Sequence, residues 1–177
     1  LEKRVSTDTL NELSAPIRAI QLATDAMLAR HTGWQELEYS EEYADLVLNH
    51  QGHGQLKASQ LSDGIRNMLA LVGDIAYRCY KLNAHLGEEA PKRTRGIVLI
   101  DEIETHLHIK LQKAILPFLT GFFPNIQFIV TTHSPFVLTS LPDAVVFDLE
   151  SHERWENMSP MSASSVVEHY FDLDLYS

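Results

Sequence analysis

Apolar positions along the 177-residue chain change their spacing several times, and each change marks an element. Behind Ser14-Ala15-Pro16, a capping hydroxyl with proline in the first turn, the residues Ile17, Ile20, Ala23, Thr24, Met27 and Leu28 recur at helical steps. This spacing predicts an amphipathic helix ending near Gly33. Leu46 and Leu48 then face Leu56 and Ala58 across Asn49-His50-Gln51-Gly52-His53-Gly54, a turn-rich string that predicts a β-hairpin. From Ile65 the positions Met68, Leu69, Val72, Ile75, Ala76, Cys79 and Leu82 return to steps of three and four, as in one long helix opened by Leu61-Ser62-Asp63-Gly64. A polar link over 87–95 closes it.

The next pattern is continuous rather than periodic. Ile97-Val98-Leu99-Ile100 and Ile126-Gln127-Phe128-Ile129-Val130 have the length and β-branching of strands in a parallel sheet covered on both faces. A helix over 108–118 separates them. A further helix over 136–141 and a third strand over 144–149 complete a β-α-β-α-β order, so the expected fold class is α/β with a parallel sheet flanked by helices. Such sheets bind ligands at the carboxyl ends of their strands. The ends in question carry Asp101-Glu102 and Thr131-Thr132-His133-Ser134-Pro135.

Composition narrows the function. With 45% apolar residues the chain can bury one ordinary core, and it contains no repeat or low-complexity tract. A formal charge of −10 opposes binding nucleic acid unaided, which needs a basic face. The apolar runs are far too short to cross a bilayer. The single cysteine, Cys79, lies within a helical apolar pattern and suits a buried thiol in a reducing cytosol. Trp34 and Trp155 suit packing, and His50 and His53 a solvated turn.

Three weak signals carry chemistry. A strand delivering Asp101 and then Glu102 provides one carboxylate for Mg²⁺ and one for an attacking water, although an acidic first helical turn would look the same. Ser62 beside Gly64 at a helix start offers hydroxyl and amide donors to a phosphate, although an ordinary cap would too. His133, two threonines beyond a strand, is either an active-site imidazole or a satisfied loop residue. His106 and His108 with Glu104 also suggest a zinc site, but alternate histidines at a strand-to-helix corner point apart and no third ligand is evident.

In this order and spacing the signals resemble the ABC-type ATPase head shared by the structural-maintenance, RecF and overcoming-lysogenisation families, over 60–141. The stretches LSDGIRNMLALVGDIA, GIVLIDEIETHLH and FPNIQFIVTTHSPFVL are most similar to a bacterial group of ATP-binding proteins that includes the ATPases of Septu and retron-linked anti-phage systems. The resemblance implies a P-loop NTPase head whose cofactors are ATP and Mg²⁺. Leu61, Ser62, Asp63 and Gly64 match the signature, which contacts the γ-phosphate held by the opposite subunit. Asp101 matches the Walker B aspartate that holds Mg²⁺ through water, and Glu102 the glutamate that polarises the hydrolytic water. Glu104-Thr105-His106-Leu107-His108 occupies the D-loop that meets the dimer partner, so Thr105 and His106 lie near the nucleotide. His133 matches the switch histidine. Asp63, where glycine is usual, and His108, where aspartate is usual, depart from the general pattern and recur in the defence subgroup.

A phosphate-binding Walker A loop requires a Gly-Lys-Ser or Gly-Lys-Thr string that this chain lacks; Gly52-His53-Gly54-Gln55-Leu56-Lys57-Ala58-Ser59 comes nearest without the Gly-Lys pair. In the family that loop lies in a preceding lobe, and Leu1-Glu2-Lys3-Arg4 shows neither an initiator methionine nor a signal peptide, as in a segment of a longer polypeptide. Three stretches are expected: a helical and hairpin segment over 1–59, an ATPase core over 60–150, and a terminal segment over 151–177 with a helix beginning in 162–176. The resemblance implies a cytoplasmic head-to-head homodimer that regulates a partner HNH nuclease, with a retron reverse transcriptase and its DNA as further partners, and no membrane. A nucleotide-binding scaffold with little turnover, and a metal-dependent nuclease using Asp101, Glu104, His106 and His108, are the alternatives.

Overall fold

The computed structural model describes residues 7–156, 158 and 160–170. The chain opens with helix α1 (Thr7–Thr32), which starts seven residues before Ser14 and runs through Pro16. The helix continues across Pro16, which costs it one main-chain hydrogen bond. Gly33, at φ +80°, ends α1 with its N–H bonded to the Ala29 carbonyl, a left-handed stop natural to glycine.

A three-stranded antiparallel meander follows: β1 (Trp34–Ser40), β2 (Asp45–His50) and β3 (Gly54–Lys57). The expected hairpin is β2–β3, with Leu48 opposite Leu56, while Ala58 falls in a 3₁₀ turn beyond it. Strand β1 is an addition that its mixture of acids and aromatics concealed. His50 is not a solvated turn residue. It is half-buried, its ring lies 4.9 Å from that of buried Trp34, and its Nδ1 accepts the Gly52 N–H at 2.9 Å. The His53 ring sits 4.5 Å from His50 and nearly parallel to Trp34.

Helix α2 (Asp63–Leu82) packs its buried face, Met68, Val72, Ile75, Ala76 and Cys79, against α1. The link after it is structured rather than open: a 3₁₀ segment (Ala84–Glu89) leads into the short helix α3 (Ala90–Arg93), with Ala90 and Pro91 buried. Polar residues there serve the core, since the Thr94 hydroxyl donates to the Cys79 carbonyl at 3.3 Å and accepts from Asn83 at 3.0 Å.

Strand β4 (Gly96–Ile100), helix α4 (Ile109–Phe122) and strand β5 (Ile126–Val130) form the parallel unit, with Ile97 beside Gln127 and Ile100 beside Val130. Val98, Ile100, Phe128 and Val130 pack inward on the shared core, which includes Leu111, Ile115, Leu119 and Phe123. The opposite face is not covered as expected: among the described residues Ile97 is 61%, Leu99 76% and Ile129 50% exposed. Helix α5 (Pro135–Leu138) is one turn long.

The third strand, β6 (Val145–Phe147), does not join the parallel pair. It forms an antiparallel hairpin with β7 (Arg154–Glu156), in which Val146 faces Trp155. The Asp148 carboxylate organises the connecting turn by accepting the Glu150 N–H and the Ser151 hydroxyl, so a partner a few residues away closes a short loop at small entropic cost. Helix α6 (Ala163–Tyr170) ends the described chain; the remainder of the expected 162–176 helix, like Leu1 to Arg4, lies outside the described residues. No described helix is long and apolar enough to cross a membrane.

Candidate functional site

Parallel pairing of β4 and β5 brings Asp101 and Thr131, the first residues beyond the strands, to one level. The ladder continues one step past the strands, with the Thr131 N–H bonded to the Ile100 carbonyl at 3.0 Å and the Ile103 N–H to the Thr131 carbonyl at 3.2 Å. The Thr131 hydroxyl then serves both acids. It donates to Asp101 Oδ1 at 2.5 Å and accepts the Glu102 N–H at 2.7 Å.

After Asp101 the chain turns sharply. Glu102 has φ +45° and His106 φ +62°, conformations that cost a residue with a side chain roughly 1–3 kcal/mol each and that persist only where surroundings impose them. The turn is held by bonds from Thr105 N–H to the Glu102 carbonyl and from Leu107 N–H to the Glu104 carbonyl. Thr105 Oγ1 donates to Glu102 Oε2 at 3.3 Å. Asp101, Glu102, Thr105, His106 and His133 all remain exposed to solvent, so this corner is open to a ligand.

Two side chains lock this corner to the β5–α5 loop. Glu104 Oε1 accepts the His133 N–H at 2.6 Å, while its Oε2 is buried with no hydrogen-bond partner. Gln112 on α4 donates to the Leu107 carbonyl at 2.8 Å and accepts the Ser134 hydroxyl at 2.7 Å. The Ser134 oxygen also caps α5 by accepting from Phe136 and Val137.

The start of α2 abuts the same turn. A Cβ on Gly64 would stand 2.6 Å from the His106 carbonyl oxygen, so the absence of a side chain there permits the close approach. Ser62 is the N-cap residue in an extended conformation, yet its hydroxyl makes no capping bond and is exposed, which leaves it available to a ligand. Asp63 forms a direct, solvent-exposed ion pair with Arg66 one turn along the helix. Leu61 differs from its neighbours, because its side chain is buried in the core and only its main chain could meet a ligand.

The zinc reading finds no support in this arrangement. Glu104 is turned to the His133 amide, and His108 caps α4 with Nδ1 accepting from Lys110 at 3.4 Å. Among the described residues no three His, Cys, Asp or Glu side chains lie together as a metal group. Asp101, Glu104, His106 and His108, the residues of the nuclease alternative, form no such group either. Mg²⁺ is a different case, since it is commonly bound by one carboxylate with water and substrate phosphates. Asp101 fits that demand, with Oδ1 oriented by Thr131 and Oδ2 unengaged.

Sequence reasoning misses Gln112 altogether and the connections of two further residues. Thr131 was visible only as part of a polar string, and its position became meaningful once the register placed it beside Asp101. Glu104 was visible as a member of the corner but not as a ligand of a main-chain amide 29 residues away.

Comparison with known proteins gives the family and the fold. The family model described as "AAA domain, putative AbiEii toxin, Type IV TA system" matches residues 15–139. The chain is similar to "Retron Ec83 probable ATPase" of Escherichia coli, at 34% identity over 96% of the chain and 32% of that protein. It is also similar to "Septu protein PtuA" of Bacillus mycoides (strain KBAB4), at 41% identity over 55% of the chain and 13% of that protein. The chain thus spans about a third or less of the length of these relatives. Among solved structures, one described under "Structural biochemistry of ATP-driven dimerization and DNA stimulated activation of SMC ATPases" superposes with a TM-score of 0.59 at 15% identity, covering 93% of this chain and 99% of that one. At that identity the likeness establishes the fold.

Proposed function

Because the chain belongs to this AAA-domain family, we propose that it is the signature-bearing and carboxylate-bearing part of an ATPase that acts as a dimer to control an effector nuclease in anti-phage defence. The observation that carries the reading is the Asp101–Thr131–Glu102 arrangement. Two acids at the end of a parallel strand are fixed by one hydroxyl on the next strand, at an exposed corner that also holds His133.

Each residue then has a physical task. Asp101 would hold Mg²⁺ with the nucleotide phosphates, and that ion would offset the negative charge of the transferring phosphoryl group. Glu102 orients a water and takes up its proton, a task open to Oε1 while Oε2 accepts the Thr105 hydroxyl. The His133 imidazole, carried just beyond the carboxyl end of β5, donates to phosphate oxygen. Ser62, with its hydroxyl unspent in capping, and the Gly64 amide at the start of α2 serve the nucleotide of the opposite subunit. The similarity to retron and Septu proteins supports a role in anti-phage defence, with an HNH nuclease, a retron reverse transcriptase and its DNA as the candidate partners.

The test is Glu102→Gln in the full-length protein. Loss of general-base catalysis should reduce phosphate release by roughly 10²–10⁴-fold, with ATP-dependent association retained. Steady turnover by the variant would overturn the role assigned to Glu102. One observation favours a second reading, a scaffold that binds nucleotide and scarcely hydrolyses it. The Glu102 carboxylate is bonded within its own turn. Nucleotide binding without phosphate release by the wild-type full-length protein would select the scaffold.

A further inference from the structure

Glu104 belongs to the turn after the acids, and the proposed chemistry makes no use of its carboxylate. We infer that Glu104 is a positioning residue that sets the main chain of His133, and so couples the turn behind the carboxylates to the histidine on the neighbouring strand end. The inference rests on the reading of His133 given above.

Its side chain crosses from one loop to the other, and Oε1 accepts the His133 N–H at 2.6 Å. The second oxygen, Oε2, is buried with no donor in reach. A buried, half-satisfied carboxylate is an expensive way to fasten two loops, because the unpaired oxygen forfeits its hydration. Fastening alone is already achieved by neutral Gln112, which bonds to both Leu107 and Ser134 within the same two loops. The bond that Gln112 does not duplicate is the one at His133.

The path extends in the other direction. Two residues after Glu104, His106 adopts φ +62° and presents its carbonyl to Gly64 at the start of α2. The start of α2 therefore abuts the same turn that carries Glu104.

The experiment compares Glu104→Ala and Glu104→Gln in the full-length protein. Glutamine keeps an acceptor for the His133 N–H and alanine does not. A misplaced histidine should lower kcat by about 10–100-fold in Glu104→Ala with KM for ATP changed less than about two-fold, and Glu104→Gln should restore kcat to within about three-fold of wild type. Hydrogen exchange of the 131–135 segment should accelerate in Glu104→Ala and return to wild-type protection in Glu104→Gln. An unchanged kcat in Glu104→Ala, or equal losses in both folded variants, would overturn the inference. If Glu104→Ala fails to fold, Glu104→Gln decides alone: near-wild-type turnover and protection support the inference, and loss of either overturns it. A wild-type protein that releases no phosphate would instead defeat the ATPase reading, and the exchange measurement would still test the Glu104–His133 link.

Discussion

The two faces of the β4–β5 sheet are built from the same kind of residue and have opposite surroundings. Val98, Ile100, Phe128 and Val130 meet the core, and the Phe123 ring meets Phe128 edge-on at a centroid separation of 6.4 Å. Ile97, Leu99 and Ile129, which alternate with them, face outward and stay largely exposed. An alternating strand with one wet face would place polar residues there, so a run apolar on both faces describes a sheet whose outward side is chemically suited to burial. Sequence thus reports what a face is fit for, and structure reports what it touches.

The contrast can be broken most forcefully from the inner side. Phe123→Ala removes a fully buried ring beside β5 and should destabilise the protein by about 3–5 kcal/mol, read from urea unfolding of the full-length protein. Gly64→Ala, where the start of α2 abuts the turn after β4, places a methyl group against the His106 carbonyl. Main chain cannot yield as a flexible side chain would, so a loss of about 1–3 kcal/mol is expected by the same measurement.

Cys79 gives a smaller, pH-dependent effect. Burial pushes its thiol above the ordinary value, so the fold favours the protonated form. The corresponding stability is fully present below the unfolded-state value of about 8.5 and is lost as pH rises above it. Unfolding curves from pH 7 to 10 should show this alkaline decline in wild type and a flatter profile in Cys79→Ala. The smallest effect belongs to the outer face: Leu99→Ala in the 177-residue chain should change stability by less than about 0.5 kcal/mol, whereas a loss of several kcal/mol would mean that this face is packed after all.

Periodicity revealed α2, α4, β4 and β5 because each buries a continuous stripe or run, and chain order placed Asp101 and His133 at neighbouring strand ends. It concealed β1, whose Glu36 and Glu38 interrupt the strand pattern, and β7, whose three residues are too short to show a period. The third strand was legible as a strand and misplaced in the sheet, since a run such as Val145-Val146-Phe147 does not encode its neighbour. At the site, residue types were legible and their connections were not. A hydroxyl bridging two acids and a carboxylate holding a distant amide depend on register and side-chain direction, which no spacing rule records.

The hydroxyl of Thr131 has a single hydrogen, and it is committed to Asp101. Any rotation of that carboxylate away from β5 would leave the hydrogen without its acceptor, even as the oxygen goes on receiving the Glu102 amide. The two acids are therefore not independent levers: reorienting the first changes the dipole that anchors the second. Valine at this position would keep the shape of the strand end while severing that link, and serine would preserve the link with a looser hinge.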